Sequence, residues 1–213
     1  MRDVLPPSPM TPHARLRRRT VAAVLATPAW CLGAWATPLR ATPAQTEGPF
    51  YPLVFPPDAD HDLLQNGTLS YPEGQAVWLE GSVSDLAGRP LAGAQVEIWQ
   101  CDQAGHYHHP GDGGRADRRF QGFGRVTVGA DGRYRFRTLR PAAYSGRTPH
   151  IHLKVRLGPR ELLTTQVYVA GDPGNARDFL WRSLSAAERD ALTVPFVPGR
   201  DGLRAEFAIV VAA

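Results

Sequence analysis

His150 and His152 stand two residues apart in the segment "YSGRTPHIH", residues 144–152. On an extended strand side chains alternate between faces, so residues at i and i+2 point the same way. One histidine on a strand face is ordinarily a packed or hydrogen-bonded residue. A pair on one face, with Tyr144 just upstream, has the form of ligands converging on a metal ion. The other chemically dense stretch is "WQCDQAGHYHHPGDGG", residues 99–114, where Tyr107 sits among His106, His108 and His109. Adjacent residues point in different directions, so at most one or two of these histidines can reach a shared centre. Solvated loop side chains are the default for all three.

Those residues need a frame to hold them. The strand "AQVEI" runs directly into the 99–114 loop, which places that loop at a sheet edge, where a rigid scaffold can carry functional side chains. Alternating runs also appear in "VWLEGSVSD", "HIHLKVRLG", "LLTTQVYVAGD" and the terminal "LRAEFAIVV". "FGRVTVGADGRYRFRTL" reads as a hairpin turning at Ala130-Asp131-Gly132. Short strands divided by Gly, Pro and Asp turns predict an all-β chain folded as an antiparallel β-sandwich. One short C-terminal helix is expected in "SLSAAERDAL", with Ser185 as cap and Glu188 completing a capping box. Before residue 75, "ATPAQTEGPFYPLVFPPDADHDLLQNG" shows neither period and reads as a long ordered arm that wraps a neighbour.

The 213 residues suffice for one ordinary domain. Residues 1–36 differ from the rest: a basic cluster at Arg15 and Arg17 to Arg19, an apolar run from Val21 to Ala36 broken by Pro28, then Ala34-Trp35-Ala36. That is the layout of an export signal, and the adjacent arginines fit the twin-arginine type of a bacterium. The expected division is a signal at 1–36 and a mature domain at 37–213, periplasmic or secreted. The apolar run is too short and interrupted for a membrane span. Five arginines and one aspartate fall in the leader, while the remaining 177 residues hold 19 basic and 19 acidic side chains. A neutral body argues against a nucleic-acid-binding protein. Cys31 belongs to the leader and leaves Cys101 alone in the body, which excludes an intramolecular disulfide and a cysteine zinc site there.

The blocks "GSVSDLAGRPLAGAQVEIWQCDQAGHY", "FQGFGRVTVGADGRYRFRTLRPAAY", "GRTPHIHLKV" and "LTTQVYVAGD", preceded by "QTEGPFYP", follow one another over residues 45–175. In this order they resemble the intradiol ring-cleavage dioxygenases, above all the protocatechuate 3,4-dioxygenase branch. The resemblance implies one non-haem Fe(III) per chain, held by Tyr107, Tyr144, His150 and His152. Singly, each tyrosine reads as a half-buried aromatic; beside the histidine pair, both match the family's ligands. Hard phenolate oxygens suit a trivalent ion, and a bound cation can hold a phenolate at neutral pH although free tyrosine titrates near 10.

The resemblance also places Arg147 and Gln166 beside the substrate, and Gly48 and Pro49 in an arm segment that approaches the pocket. It implies a catechol bound as a dianion, Tyr144 released to act as general base, and Arg147 stabilising developing negative charge. Gln166 would orient the substrate. With O2 the ring would open between its hydroxylated carbons to a cis,cis-muconate-type diacid. Family members often form homo-oligomers, though no interface is legible here.

One departure stands out. Only "SGRTP" separates Tyr144 from His150, where protocatechuate enzymes carry a longer, tryptophan-containing loop that walls the substrate pocket. Catechol 1,2-dioxygenases carry an extra helical N-terminal segment, and no helical pattern precedes residue 75 here. Two rivals remain. A non-catalytic carbohydrate- or peptide-binding sandwich would need only the "GRPLAGAQVEI" block and leaves the Tyr/Tyr/His/His set as coincidence. A related fold with zinc or copper would suit raw affinity, but the tyrosine pair argues against it.

Overall fold

The computed structural model describes residues 39–213; the expected export segment, with Cys31, lies outside the described residues. In chain order the strands are β1 (Gln65–Asn66), β2 (Leu69–Ser70), β3 (Ala76–Asp85), β4 (Gln95–Trp99), β5 (Phe123–Thr127) and β6 (Arg133–Leu139). They continue with β7 (His150–Leu157), β8 (Arg160–Val169), β9 (Thr193–Val194), β10 (Val197–Gly199), β11 (Gly202–Glu206) and β12 (Ile209–Val211). Two helices, α1 (Phe179–Ser183) and α2 (Ala186–Leu192), lie between β8 and β9. None of the described helices is long and apolar enough to cross a membrane.

Two five-stranded sheets face each other. In the first, β3 is central and pairs with β6, β11 and β12, while β10 pairs with β11. Its burial alternates at every residue, the mark of a strand with one face on the core. The second sheet runs β5-β4-β7-β8-β9. Val77, Leu79, Val83 and Phe136 from the first sheet and Val96, Ile98, Ile151, Leu153, Val155 and Val167 from the second are fully buried in one cluster. Each such side chain contributes about 1.5–3 kcal/mol on leaving water.

The expected sandwich is present, with three differences. First, β5 and β6 are not a hairpin: β5 pairs with β4 and β6 with β3, so Val128–Gly132 carries the chain from one sheet to the other. Val128 still bonds to Ala94 (2.9 Å), whereas the Gly132 carbonyl already accepts from Val83 N (2.9 Å). Gly132 has φ +69°, and a Cβ there would come within 2.7 Å of the Val83 oxygen. The alternation marked two strands and a turn but carried no information about partners. Second, the sheets are not purely antiparallel, since β11 and β12 run parallel to β3, and β9 parallel to β8. A long stretch of chain separates each of these strands from its parallel partner, which is what parallel pairing requires. Third, α2 has the expected Ser185–Glu188 capping box, but α1 precedes it, capped by Asp178. Five residues are too few to show a helical period.

The arm wraps its own chain. The Gln45 amide donates to the Thr164 carbonyl (2.8 Å), and Gln166 Nε2 donates to the Thr46 carbonyl (2.9 Å). Tyr51 donates to the Glu97 carboxylate (2.7 Å), and Lys154 pairs with Glu47. Because this cover hides the outer face of the second sheet, β7 is buried on both faces from His150 to Val155.

Candidate active site

Trp99, His152 and Gln166 are register neighbours on β4, β7 and β8, so their side chains share one face. The Trp99 ring stacks on His152 with centroids 4.8 Å apart and planes 9° from parallel. His150 Nδ1 lies 2.7 Å from the Thr148 carbonyl oxygen. An N–H must fill that contact, which leaves the lone pair of His150 on Nε2. His150 Nε2 in turn faces His152 Nε2 at 3.2 Å. Both imidazoles are buried, and burial together with the Arg147 charge pushes His150 down to about 4. Burial and the neighbouring His150 hold His152 well below the ordinary histidine value. Both rings are therefore neutral at pH 7 and able to ligate.

Tyr144 and Arg147 are brought together by a tight turn. Arg147 N donates to the Tyr144 carbonyl (2.7 Å), and the two central residues, Ser145 (φ +44°) and Gly146 (φ +77°), are both left-handed. Ser145 is the one non-glycine residue with positive φ among the described residues. That backbone costs about 1–2 kcal/mol and is the price of setting the phenol and guanidinium side by side. Arg147 Nε donates to Asp178 Oδ2 (2.7 Å), and its Nη2 donates to Gln166 Oε1 (2.7 Å). Asp178 also accepts from Thr148 N and Trp181 N, both at 2.9 Å. Burial alone would raise that carboxyl; the Trp181 and Thr148 amides and the Arg147 guanidinium outweigh it and hold it below the usual carboxylate range.

Tyr107 enters from the loop after β4. Asp102 shapes this loop by accepting from the amides of Ala104, His106 and Asp117, and Asp112 accepts from Tyr107 N (2.9 Å). The Tyr107 ring is 5.0 Å from Tyr144 and 6.1 Å from His152, while Tyr144 is 5.5 Å from His150, all between centroids. Phe50 of the arm stacks on Tyr107 at 4.7 Å. Gly48 lies so close to His152 that a Cβ would meet its Cε1 at 3.3 Å. Burial, then the neighbouring Tyr144, drives the Tyr107 hydroxyl well above its ordinary value; burial also raises Tyr144 against the pull of Tyr107 and Arg147. Without a cation both phenols stay protonated.

The donor set fits a metal ion. Two imidazole nitrogens face each other at 3.2 Å in a buried site, and the buried Tyr107 hydroxyl has no hydrogen-bond partner. A cation between these groups would satisfy the nitrogens and the oxygen together. Among the described residues no three His, Cys, Asp or Glu side chains gather in metal-holding geometry, and the side-chain oxygens beside the two imidazoles are those of Tyr107 and Tyr144. Cys101 is buried and its thiol is pushed up to about 12 by burial, which makes it inert.

All four expected ligands, with Arg147 and Gln166, are thus in one cluster, and Gly48 touches it; Pro49 links Gly48 to Phe50 in the arm. The loop histidines are not merely solvated, since each has a partner within the protein. His108 Nε2 bonds to the Phe120 carbonyl (2.6 Å), and His109 Nδ1 accepts from Gly111 N (3.0 Å). His106 sits 3.3 Å from Asp112. Sequence reasoning missed Asp178, Trp99 and Phe50. Only the capping position of Asp178 before α1 could have signalled it.

A family model described as Dioxygenase matches residues 46–196. The protocatechuate 3,4-dioxygenase beta chain of Burkholderia cepacia is 38% identical over 150 residues, which cover 64% of this chain and 63% of that protein. Catechol 1,2-dioxygenase of Acinetobacter baylyi is 32% identical over 180 residues, covering 76% and 55% respectively. The chain thus spans less than two thirds of the length of these curated relatives. Among solved structures, the dioxygenase domain of a dioxygenase and carbohydrate-binding protein fusion from Streptomyces sp. SirexAA-E superposes with a TM-score of 0.63. It is 32% identical, and the match covers 80% of this chain and 97% of that domain. Catechol 1,2-dioxygenase from Acinetobacter sp. ADP1 gives a TM-score of 0.64 at 29% identity, covering 80% and 62%.

Proposed function

The chain belongs to the intradiol dioxygenase family, and from that premise we propose that it is a non-haem iron(III) enzyme that opens catechols between their hydroxylated carbons with O2. The observation that carries the proposal is the convergence of His150 and His152 Nε2 at 3.2 Å beside the unpartnered Tyr107 hydroxyl, with Tyr144 closing the set. Tyr107, Tyr144, His150 and His152 would hold the ion. Bound iron would supply a Lewis acid for the two catechol oxygens and activate the ring toward O2.

The protein's own groups do the rest. Tyr144 is only partly buried and adjoins a strained turn, whereas Tyr107 is fully buried, so Tyr144 is the phenol able to move and to take a proton from a substrate hydroxyl at its oxygen. Arg147 is fixed through Nε and Nη2, which leaves Nη1 as the donor free to meet negative charge on the substrate. Gln166 is itself held by Arg147 and the Thr46 carbonyl, so it can orient the ring without rearranging. Phe50 packs on Tyr107 and Gly48 lies against His152, so the arm covers that side of the site.

Oxygen consumption with catechol, read beside the ultraviolet absorbance of a muconate-type product, tests the reaction. One O2 consumed per ring, with both atoms of labelled O2 in the diacid, is expected. Uptake with a product cleaved outside the diol, or no uptake by iron-loaded protein, would refute it. We further propose that residues 1–36 direct export and are removed after Ala36. The basic cluster, apolar run and Ala34-Trp35-Ala36 pattern support this. N-terminal sequencing of exported protein should begin at Thr37; finding Met1 or Met10 would contradict it.

A further inference from the structure

Strands β4 and β7 present two successive pairs on the face that the arm covers: Trp99 beside His152, and Glu97 beside Lys154. The first pair belongs to the candidate metal centre. The second is also buried, yet neither Glu97 nor Lys154 takes part in that centre. Both hold the arm instead. Lys154 Nζ pairs with Glu47 and lies 4.0 Å from the centre of the Tyr51 ring, and the Tyr51 hydroxyl donates to Glu97 Oε2 (2.7 Å). Lys154 also pairs with Glu161 of β8 (3.0 Å). Between the two arm anchors lie only Gly48, Pro49 and Phe50. Gly48 rests against His152, while Phe50 stacks on Tyr107 and meets Tyr144 edge-on with centroids 6.0 Å apart.

Stability alone does not account for charges at this position, because apolar side chains of similar size commonly do as well as a buried ion pair. Register does account for them. The backbone holds Gln45 and Thr46 on β8. Among the described residues, no backbone hydrogen bond ties residues 47–55 to the sheet, so no ladder fixes their place along it. Yet the site accepts one placement. Gly48 has φ +73°, and a Cβ there would meet His152 Cε1 at 3.3 Å, so a slip of one residue would bring Glu47 or Pro49 against the imidazole. An ion pair at one end of the segment and a hydrogen bond to a carboxylate at the other each select one partner. We propose that Lys154 and Glu97 are positioning residues, which clamp the arm at Glu47 and Tyr51 and thereby seat Gly48 and Phe50 against His152 and Tyr107. The effect on substrate rests on the ring-cleavage reading; the clamp itself does not.

The test is hydrogen exchange, read by mass spectrometry across residues 45–55, in the full-length protein and in Glu47→Gln, Tyr51→Phe, the two combined, and Glu161→Gln. Glu47 and Glu161 both pair with Lys154 and both side chains are nearly half-exposed, but only Glu47 lies on the arm. Glu161→Gln therefore removes a similar ion pair without touching the clamp. Exchange should quicken about fivefold or more in each arm variant, the scale of one partly exposed polar contact. The combined variant should show about the product of the two, and Glu161→Gln should stay within about twofold of the wild type. In iron-loaded protein, the combined variant should raise KM for catechol about tenfold or more with kcat within about threefold, because only molecules with a seated arm bind substrate. General unfolding would do the reverse, lowering kcat by shrinking the active fraction and leaving KM alone. Unchanged exchange in the arm variants, equal quickening in Glu161→Gln, or a fall in kcat at constant KM would each overturn the proposal. If iron-loaded wild type consumes no O2 while exchange follows the stated pattern, the ring-cleavage reading fails and the clamp stands.

Discussion

Replacing Asp178 with asparagine should loosen Arg147 and the strand entry at once. Oδ2 of Asp178 accepts from Arg147 Nε (2.7 Å) and Thr148 N (2.9 Å), and the carboxylate is fully buried while the Arg147 side chain is 10% exposed. An asparagine can keep the Trp181 cap through its oxygen but then turns its NH2 toward two donors. Removing one partner of a buried ion pair costs about 3–5 kcal/mol, because the other charge is left without an anion. For a domain of this size that corresponds to a fall in Tm of about 6–20 °C. The contribution also has a defined pH window. The folded-state pKa of Asp178 is lowered, so its stabilisation is fully present above the unfolded carboxylate value of about 3.9 and is lost as pH falls through the lower folded value. Thermal unfolding of the wild type, Asp178→Asn, Arg147→Met and the double variant, at pH 7 and pH 3, forms a cycle that isolates the pair. The double variant should be more stable than the sum of the singles predicts. The gap between wild type and Asp178→Asn should narrow at pH 3. Additive effects, or a Tm change under about 2 °C, would refute the assignment of Asp178 as the anchor of Arg147.

Other outcomes follow from the same geometry. His150→Ala and His152→Ala should each lose iron on purification, whereas Arg147→Ala should keep it and lose turnover by about 10²–10³, the scale of one deleted charge stabiliser; loss of iron from Arg147→Ala would show that the roles are misassigned. Gly132→Ala should cost about 2 kcal/mol or more, since a left-handed residue gains a Cβ 2.7 Å from the Val83 oxygen, and denaturant titration should show it with turnover per folded molecule unchanged. With only "SGRTP" between Tyr144 and His150, catechol, protocatechuate and hydroxyquinol should be turned over with kcat/KM values within about tenfold of one another. Strict selectivity for protocatechuate would show that other residues rebuild the pocket wall.

The histidine pair was legible because its signal is local, whereas Tyr107, Arg147, Gln166, Gly48 and Pro49 came only through the family resemblance. The spacing of His150 and His152 requires only a strand to put both on one face, and β7 supplies it. Ser185 and Glu188 announce α2 by a contact three residues long. What was not legible depends on long-range pairing. The alternation in residues 123–139 could not show that β5 and β6 enter different sheets, because that choice is made by Val83 and Ala94, distant in sequence. Asp178 lies 31 residues from Arg147 and reads in sequence as an unremarkable loop aspartate. The stacking of Trp99 on His152 is set by the register of β4 on β7, which a one-residue slip would reverse.

The most direct test of the central claim is the visible spectrum of the purified protein, read together with its metal content. A site built from Tyr107, Tyr144, His150 and His152 should hold one iron per chain and give a broad visible absorption from tyrosinate-to-iron(III) charge transfer. A protein that stays colourless after ferric reconstitution, or that carries stoichiometric zinc, would contradict it.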